Sequence, residues 1–341
     1  MWADPANGLI PLLAPAAFPD EPVTTSFRVK TLIAPDKRQL RTATWDVPAG
    51  VAVRGICLLL HGLTEFLEKY DETAQELTAR GLIVVSLDWR SQGASERRGS
   101  GNRAGHVTSF DEYDADIGAI VMQGIEPIQK DQIARGRAPL PVIALAHSMG
   151  AHILLRFIHE HKRRFAGAAL TAPMLGIETG KYSLQFAKAV TFLLNMRRAS
   201  SQLVYTVEGR DPLHLPFEGN LVTSDRGRYE RNRELLKAQP FLRIYGPTFG
   251  WLGAAFQSLR RAERAGFAEE IGTPLLVVGA GRDGIVTTAA TRDFVKRLPN
   301  ATYVEFEDAE HEILMENDAI RARFWAAFDA FTAPLLDRPN A

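Results

Sequence analysis

Three residue types that together can cut an acyl bond stand far apart in this chain: Ser148, Asp283 and His311. The stretch IALAHSMGAH, residues 143–152, ends an apolar run on a serine, with Ala146 two positions before it and Gly150 two after. A serine at a strand end can simply cap the next helix. It can also be a nucleophile held on a tight turn, which needs small side chains at those two flanking positions because the backbones on either side nearly touch. A hydroxyl is a weak nucleophile at neutral pH, so the second reading requires a base and an acid that orients it. DAEHEI, residues 308–313, places His311 just past an apolar strand pattern, and GAGRDGIV, residues 279–286, places Asp283 just past another. The order serine, acid, histidine is the one expected when a parallel sheet carries such a site.

Other groups compete for these roles. Asp88 also follows a strand pattern and is the rival acid, but its strand precedes the serine. His147 adjoins Ser148, where neighbouring side chains on a sharp turn point apart. Glu310 and Glu312 read as solvated neighbours of His311. The oxyanion of an acyl-transfer transition state needs backbone donors. The N–H of Met149 is the first expected donor and that of Leu63, in the loop LLLHGLTEF, the second, with His61 and Gly62 shaping the turn.

The elements that must position these groups follow from apolar patterning. Strands are expected over 26–34, 41–47, 55–60, 82–87, 141–146, 167–172, 275–279 and 302–306, and helices over 67–80, 110–126 (ended or kinked by Pro127), 148–161, 288–298 and 319–332. Alternating strands and helices, with strands reading as continuous apolar runs, predict an α/β fold with a mostly parallel sheet covered on both faces. The interval 175–265 breaks the rhythm and reads as a helical insert, leaving 26–174 and 266–336 as the core and 1–25 as an extended arm. The insert holds 14 Lys/Arg and 8 Asp/Glu, a net of +6, so the rest of the neutral chain carries −6.

Balanced charge, 40 Lys+Arg against 40 Asp+Glu, speaks against a nucleic-acid binder. Cys57 is the only cysteine, which excludes an intrachain disulfide and a thiolate metal cluster. The N-terminal apolar patch lacks a basic start and is broken by Pro11 and Pro15, and no run approaches the roughly 18 apolar residues of a membrane span. A cytoplasmic protein is the expectation.

HGLTEFLEKY (61–70), DWRSQGASE (88–96), AHSMGAH (146–152), GRDGIV (281–286) and EHEILME (310–316) resemble the monoacylglycerol lipase and lysophospholipase group of α/β hydrolases, within the serine aminopeptidase-type hydrolases. In the insert, NLVTSDRGRY (220–229) and GPTFGW (246–251) resemble the cap of bacterial lysophospholipases. The resemblance implies the α/β-hydrolase fold: an eight-stranded sheet, a helical cap after the sixth strand and no cofactor. It also implies a single-chain acyl ester as substrate. The sequence departs from the family pattern at Phe66, where a second histidine is usual, at Arg90 and Ser91 after Asp88, and at Ala146 and Ala151 in the serine turn. The first two departures are expected to line the entrance. Phe186, Val190, Leu193 and Leu194 recur at helical spacing and are either cap core or an acyl groove, with Trp251 a further candidate contact. Arg226, Arg228, Arg231 and Arg233 form either a solvated face or a contact for a phosphate head group or an anionic membrane. An aminopeptidase, a broad small-ester or thioester hydrolase and a non-catalytic binder on the same fold are the rival readings.

Overall fold

A computed structural model describes residues 27–97, 103–180, 182–197, 199–204 and 211–337; the expected arm, residues 1–25, lies outside them. The strands are β1 (Arg28–Ile33), β2 (Gln39–Trp45), β3 (Gly55–Leu60), β4 (Leu82–Leu87), β5 (Val142–His147), β6 (Gly167–Thr171), β7 (Leu275–Ala280) and β8 (Ala301–Phe306). They form one sheet in the order β1-β2-β4-β3-β5-β6-β7-β8. The β1–β2 and β2–β4 pairs are antiparallel and all others are parallel. Every residue of β3, β4, β6 and β7 is buried, as apolar strands covered on both faces must be. At the edge, β1 is mostly exposed and carries Arg28 and Lys30, charges that discourage pairing with a further strand.

The helices that cover the sheet are α1 (Asp71–Ala79), α2 (Asp111–Ile120), α3 (Glu126–Ala134), α4 (Ser148–Glu160), α8 (Thr288–Val295) and α9 (Asp318–Leu336). Three more, α5 (Leu184–Met196), α6 (Arg226–Ala238) and α7 (Phe249–Glu263), lie between β6 and β7. Each of these begins on a side chain that accepts a backbone N–H: Ser183, Asp225 and Thr248. We propose 175 and 265 as the bounds of this helical insert. Its last helix is not a loose lid, because Trp251, Ala254, Ala255 and Ala262 of α7 join the main hydrophobic core.

Two expected helices take a different form. Residues 67–80 split into a tight turn, Leu67–Tyr70, followed by α1. Pro127 does not end the helix before it. The chain widens into a π-type turn over Val121–Ile125, and Pro127 then falls in the first turn of α3, where a missing N–H costs nothing.

Candidate active site

Ser148 joins β5 to α4 with φ of +51°. A side chain in this left-handed region stores about 1–3 kcal/mol of strain and is held there only by its surroundings. The glycine two positions on shows what the turn requires. A Cβ on Gly150 would sit 2.5 Å from the carbonyl oxygen of His61 and 2.9 Å from that of Leu60. The contact that demands a small residue is therefore with the end of β3, while Ala146 is held in the sheet between Leu60 and Leu170.

Ser148 follows β5, Asp283 follows β7 and His311 follows β8, so the three groups meet past the carboxyl ends of parallel strands of one sheet. His311 Nε2 lies 2.9 Å from Ser148 Oγ, and its Nδ1 lies 2.7 Å from Asp283 Oδ2. Asp283 Oδ1 accepts the N–H groups of Ile285 and Val286 at 2.8 and 2.9 Å, which fixes the carboxylate. With Nδ1–H donating to Asp283, Nε2 keeps its lone pair and can take the proton of Ser148.

The loop after β3 is equally constrained. Gly62 N–H donates to Glu65 Oε2 at 2.5 Å, and Thr64 N–H, at a residue with φ of +64°, donates to Gln92 Oε1 at 2.6 Å. Between them, Leu63 N–H has no acceptor among the described residues. Met149 N–H lies in the first turn of α4, where backbone donors have no helical partner. His61 is buried and its Nδ1 lies 2.8 Å from the carbonyl oxygen of Gly62. Among the described residues, no group of three or more His, Cys, Asp or Glu side chains is placed to hold a metal ion.

Two further histidines flank the serine in sequence and are buried. His147 packs 4.8 Å from the His311 ring and His152 sits 2.6 Å from Ser258 Oγ. Burial pushes each down to about 3. The unfolded chain takes up these protons below about pH 6.5 and the folded chain does not, so stability is lost as the pH falls through that window. Between pH 7 and 5, His152 accounts for about 2 kcal/mol of this loss. His152→Gln is expected to reduce by that amount the loss of unfolding free energy between pH 7 and 5, measured by urea titration; an unchanged loss would show that His152 is protonated in the folded state.

A serine, a histidine and a carboxylate in bonding order, on a left-handed turn at the ends of parallel strands, invite comparison with known proteins. The family model described as serine aminopeptidase, S33 (Hydrolase_4), matches residues 51–318. The chain belongs to that family. It is 30% identical over 280 residues to a protein of Escherichia coli K12 named lysophospholipase L2, covering 78% of this chain and 77% of that one. It is 25% identical to a protein of Mycolicibacterium smegmatis named monoacylglycerol lipase, covering 77% and 86%. A solved monoglyceride lipase from Saccharomyces cerevisiae, in complex with a substrate analog, shares the fold with a TM-score of 0.73 at 19% identity, covering 95% of this chain and all of that one. The protein is a serine hydrolase of the α/β-hydrolase fold.

Several other residues of this S33 hydrolase lie elsewhere than expected. Phe66 does not line an entrance. It is fully buried against Leu236 and Leu242, so it joins core to insert. Arg90 is buried as well and pairs with Asp116 at 2.6 Å, Asp36 at 2.7 Å and Glu112 at 3.0 Å. Trp251 is core, 5.8 Å from Phe110, and Phe186 points outward rather than into a groove. Arg226 pairs with Glu218 and stacks 4.4 Å over Phe217. Arg228 is largely buried and pairs with Glu72 at 2.6 Å, Asp318 at 2.7 Å and Asp225 at 2.9 Å. Arg231 pairs with Glu72 and Arg233 with Glu230. Neither Arg228 nor its neighbours form an open phosphate site. Asp88 is buried, accepts Leu67 and Ala94 N–H and lies 2.7 Å from Arg41 Nε, so its acceptors are occupied by other groups, while His311 Nδ1 is bonded to Asp283. Glu312 is not solvated: it is bonded to Lys69. Gln92 and Lys69 carried no signal in the sequence, because their roles exist only once the loops have met.

Proposed function

We propose that this enzyme removes a single acyl chain from a lysophospholipid or monoacylglycerol through an acyl-enzyme on Ser148. The observation that carries the reading is the unbroken hydroxyl–imidazole–carboxylate chain at 2.9 and 2.7 Å. Ser148 Oγ attacks the ester carbonyl as its proton moves to His311 Nε2. The oxyanion takes hydrogen bonds from Leu63 and Met149 N–H. His311 then returns the proton to the leaving alcohol, and water repeats the sequence on the acyl-enzyme. Asp283 holds the imidazole tautomer and balances its transient charge.

Substrate class rests on relatives and on charge. The proteins of E. coli and M. smegmatis are named for single-chain lipids. The family description points instead to peptides, but a free amine at the entrance needs unpaired carboxylates, and the insert carries +6. Two carboxylates beside the donor and base loops, Glu65 and Glu312, are already bonded to Lys69. A broad ester or thioester hydrolase would use the same triad without preferring long chains. A hydrolysis screen of lysophospholipids, monoacylglycerols, short p-nitrophenyl esters and aminoacyl amides separates these readings. The highest kcat/KM is expected with a long-chain, single-acyl substrate, and faster turnover of aminoacyl amides would overturn the lipid reading.

No helix among the described residues is long and apolar enough to cross a membrane. The arginines of α6 are occupied by acids; α5 is the better contact. Thr191 is its one buried described residue, and Asn195 Nδ2 donates to the carbonyl of Phe249, so a polar side faces α7. Phe186, Phe192, Leu193 and Met196 are 54%, 65%, 55% and 68% exposed. Residues 179–207 hold four Lys or Arg and no Asp or Glu. An outward apolar face on a segment whose charged residues are all cationic suits an anionic lipid surface. Replacing Phe192 and Leu193 by serine is expected to weaken binding to phosphatidylglycerol vesicles about tenfold, given the transfer energy of two partly buried apolar side chains. Turnover of a short ester should not change. Undiminished vesicle binding would remove α5 from this role.

A further inference from the structure

The donor loop and the base loop come from opposite ends of the chain, yet one buried cation holds both. Lys69 lies in the turn that follows HGLTEF. Its Nζ donates to Glu65 Oε1 and to Glu312 Oε1, each at 2.6 Å. Glu65 Oε2 also accepts Gly62 N–H at 2.5 Å and the Tyr70 hydroxyl at 2.9 Å, so this carboxylate sets the turn that presents Leu63 N–H. Glu312 directly follows His311, and its own N–H donates to the carbonyl of Val222 in the insert at 2.7 Å. A continuous path of short bonds thus runs from Gly62 through Glu65, Lys69 and Glu312 to the backbone of the base.

This arrangement is an expensive way to fill space. Glu65 and Lys69 side chains are each 5% exposed and Glu312 13%. Buried ions lose hydration that pairing recovers only with good geometry. Burial opposes charge on all three. Even so, Glu312 and Glu65 raise Lys69 above its ordinary range, and Lys69 draws Glu65 well below the usual carboxylate range; Glu312 is pushed up by burial. Without the ammonium, two buried carboxylates would face each other, and one would have to protonate or move. Movement of Glu65 disturbs the Gly62–Leu63 turn, and movement of Glu312 disturbs His311. Arg228, Tyr229 and Asn232 of α6 close over Lys69 and Glu312 around a cavity of about 40 Å³, so the bridge lies where the insert meets the core.

We infer that Lys69 is a positioning residue that fixes the spacing between the oxyanion donor loop and the His311 base by bridging Glu65 to Glu312. The inference rests on the proposed roles of Ser148 and His311 and is independent of the substrate class. Its test is therefore steady-state kinetics on a short neutral p-nitrophenyl ester. Lys69→Met, Lys69→Arg and Ser148→Ala are compared with the parent, each checked for folding by near-ultraviolet circular dichroism.

A misplacement of about 1 Å in a catalytic constellation costs on the order of 100-fold in rate. Lys69→Met is expected to lower kcat by roughly that factor with KM within about twofold, while Lys69→Arg, whose guanidinium can still reach both carboxylates, stays within about fivefold of the parent. A folded Lys69→Met with kcat within about threefold of the parent, a loss confined to KM, or an arginine variant no better than the methionine one would overturn the inference. Activity retained by Ser148→Ala would instead overturn the nucleophile assignment on which it stands. Should Lys69→Met fail to fold, Glu312→Gln keeps the shape and removes one charge. A drop of about tenfold in kcat supports the bridge, and an unchanged kcat overturns it.

Discussion

Ser148→Ala and His311→Ala are each expected to lower kcat for any ester substrate by roughly 10⁵- to 10⁶-fold, and the double variant to lose little more. The reason is geometric. The hydroxyl at 2.9 Å from Nε2 and the imidazole that takes its proton form one unit, so removing either part removes the covalent route. What remains is the smaller acceleration from substrate binding and the two backbone donors, which neither substitution touches. Stability should change little at Ser148 and can rise, because alanine occupies the same left-handed turn without a hydroxyl to satisfy. Steady-state kinetics on a p-nitrophenyl ester, with thermal unfolding alongside, measures both. Near-parental activity in either single variant would break the mechanism.

Asp283→Asn should lower kcat by about four powers of ten while leaving the fold intact. The asparagine oxygen can still accept Ile285 and Val286 N–H, so the loop keeps its shape. Its amide nitrogen, however, now faces Nδ1 of His311 as a donor. The imidazole is driven toward the tautomer with its proton on Nε2, which cannot accept from Ser148. Asp88→Asn provides the contrast. It leaves Arg41 with Glu68 as its remaining partner and should cost about 3 kcal/mol of stability while kcat of the folded fraction stays within about fivefold. If Asp88→Asn were the inactive variant and Asp283→Asn the active one, the acid assignment would be reversed.

The sheet and the positions of Ser148, Asp283 and His311 were legible because buried parallel strands are continuous apolar runs and the residues just beyond them are short-range features. All eight strands lie within two residues of their expected limits at either end. Side-chain roles in the insert were not legible in the same way. In α5 the apolar spacing suggested an inward face, but Thr191 and Asn195 turn toward α7 instead, and periodicity alone does not say which side of a helix finds a partner. Arg228 looked available because Glu72, its main partner, is 156 residues away. Phe66 looked like a site residue because it replaces a polar one, whereas Leu236 and Leu242 of the insert enclose it. Glu312 carries no sequence sign of its burial for the same reason, since its partner Lys69 is 243 residues distant. Each misplacement involves contacts between segments that only the folded chain brings together.

The central claim is that Ser148 is a nucleophile made reactive by His311. Treating the protein with a fluorophosphonate and mapping the modified peptide by mass spectrometry tests it most directly, with no assumption about substrate. One adduct per chain is expected, on Ser148, with labelling lost in Ser148→Ala and slowed by several powers of ten in His311→Ala. An adduct on a different serine, or a parental protein that is folded but does not label, would contradict the account.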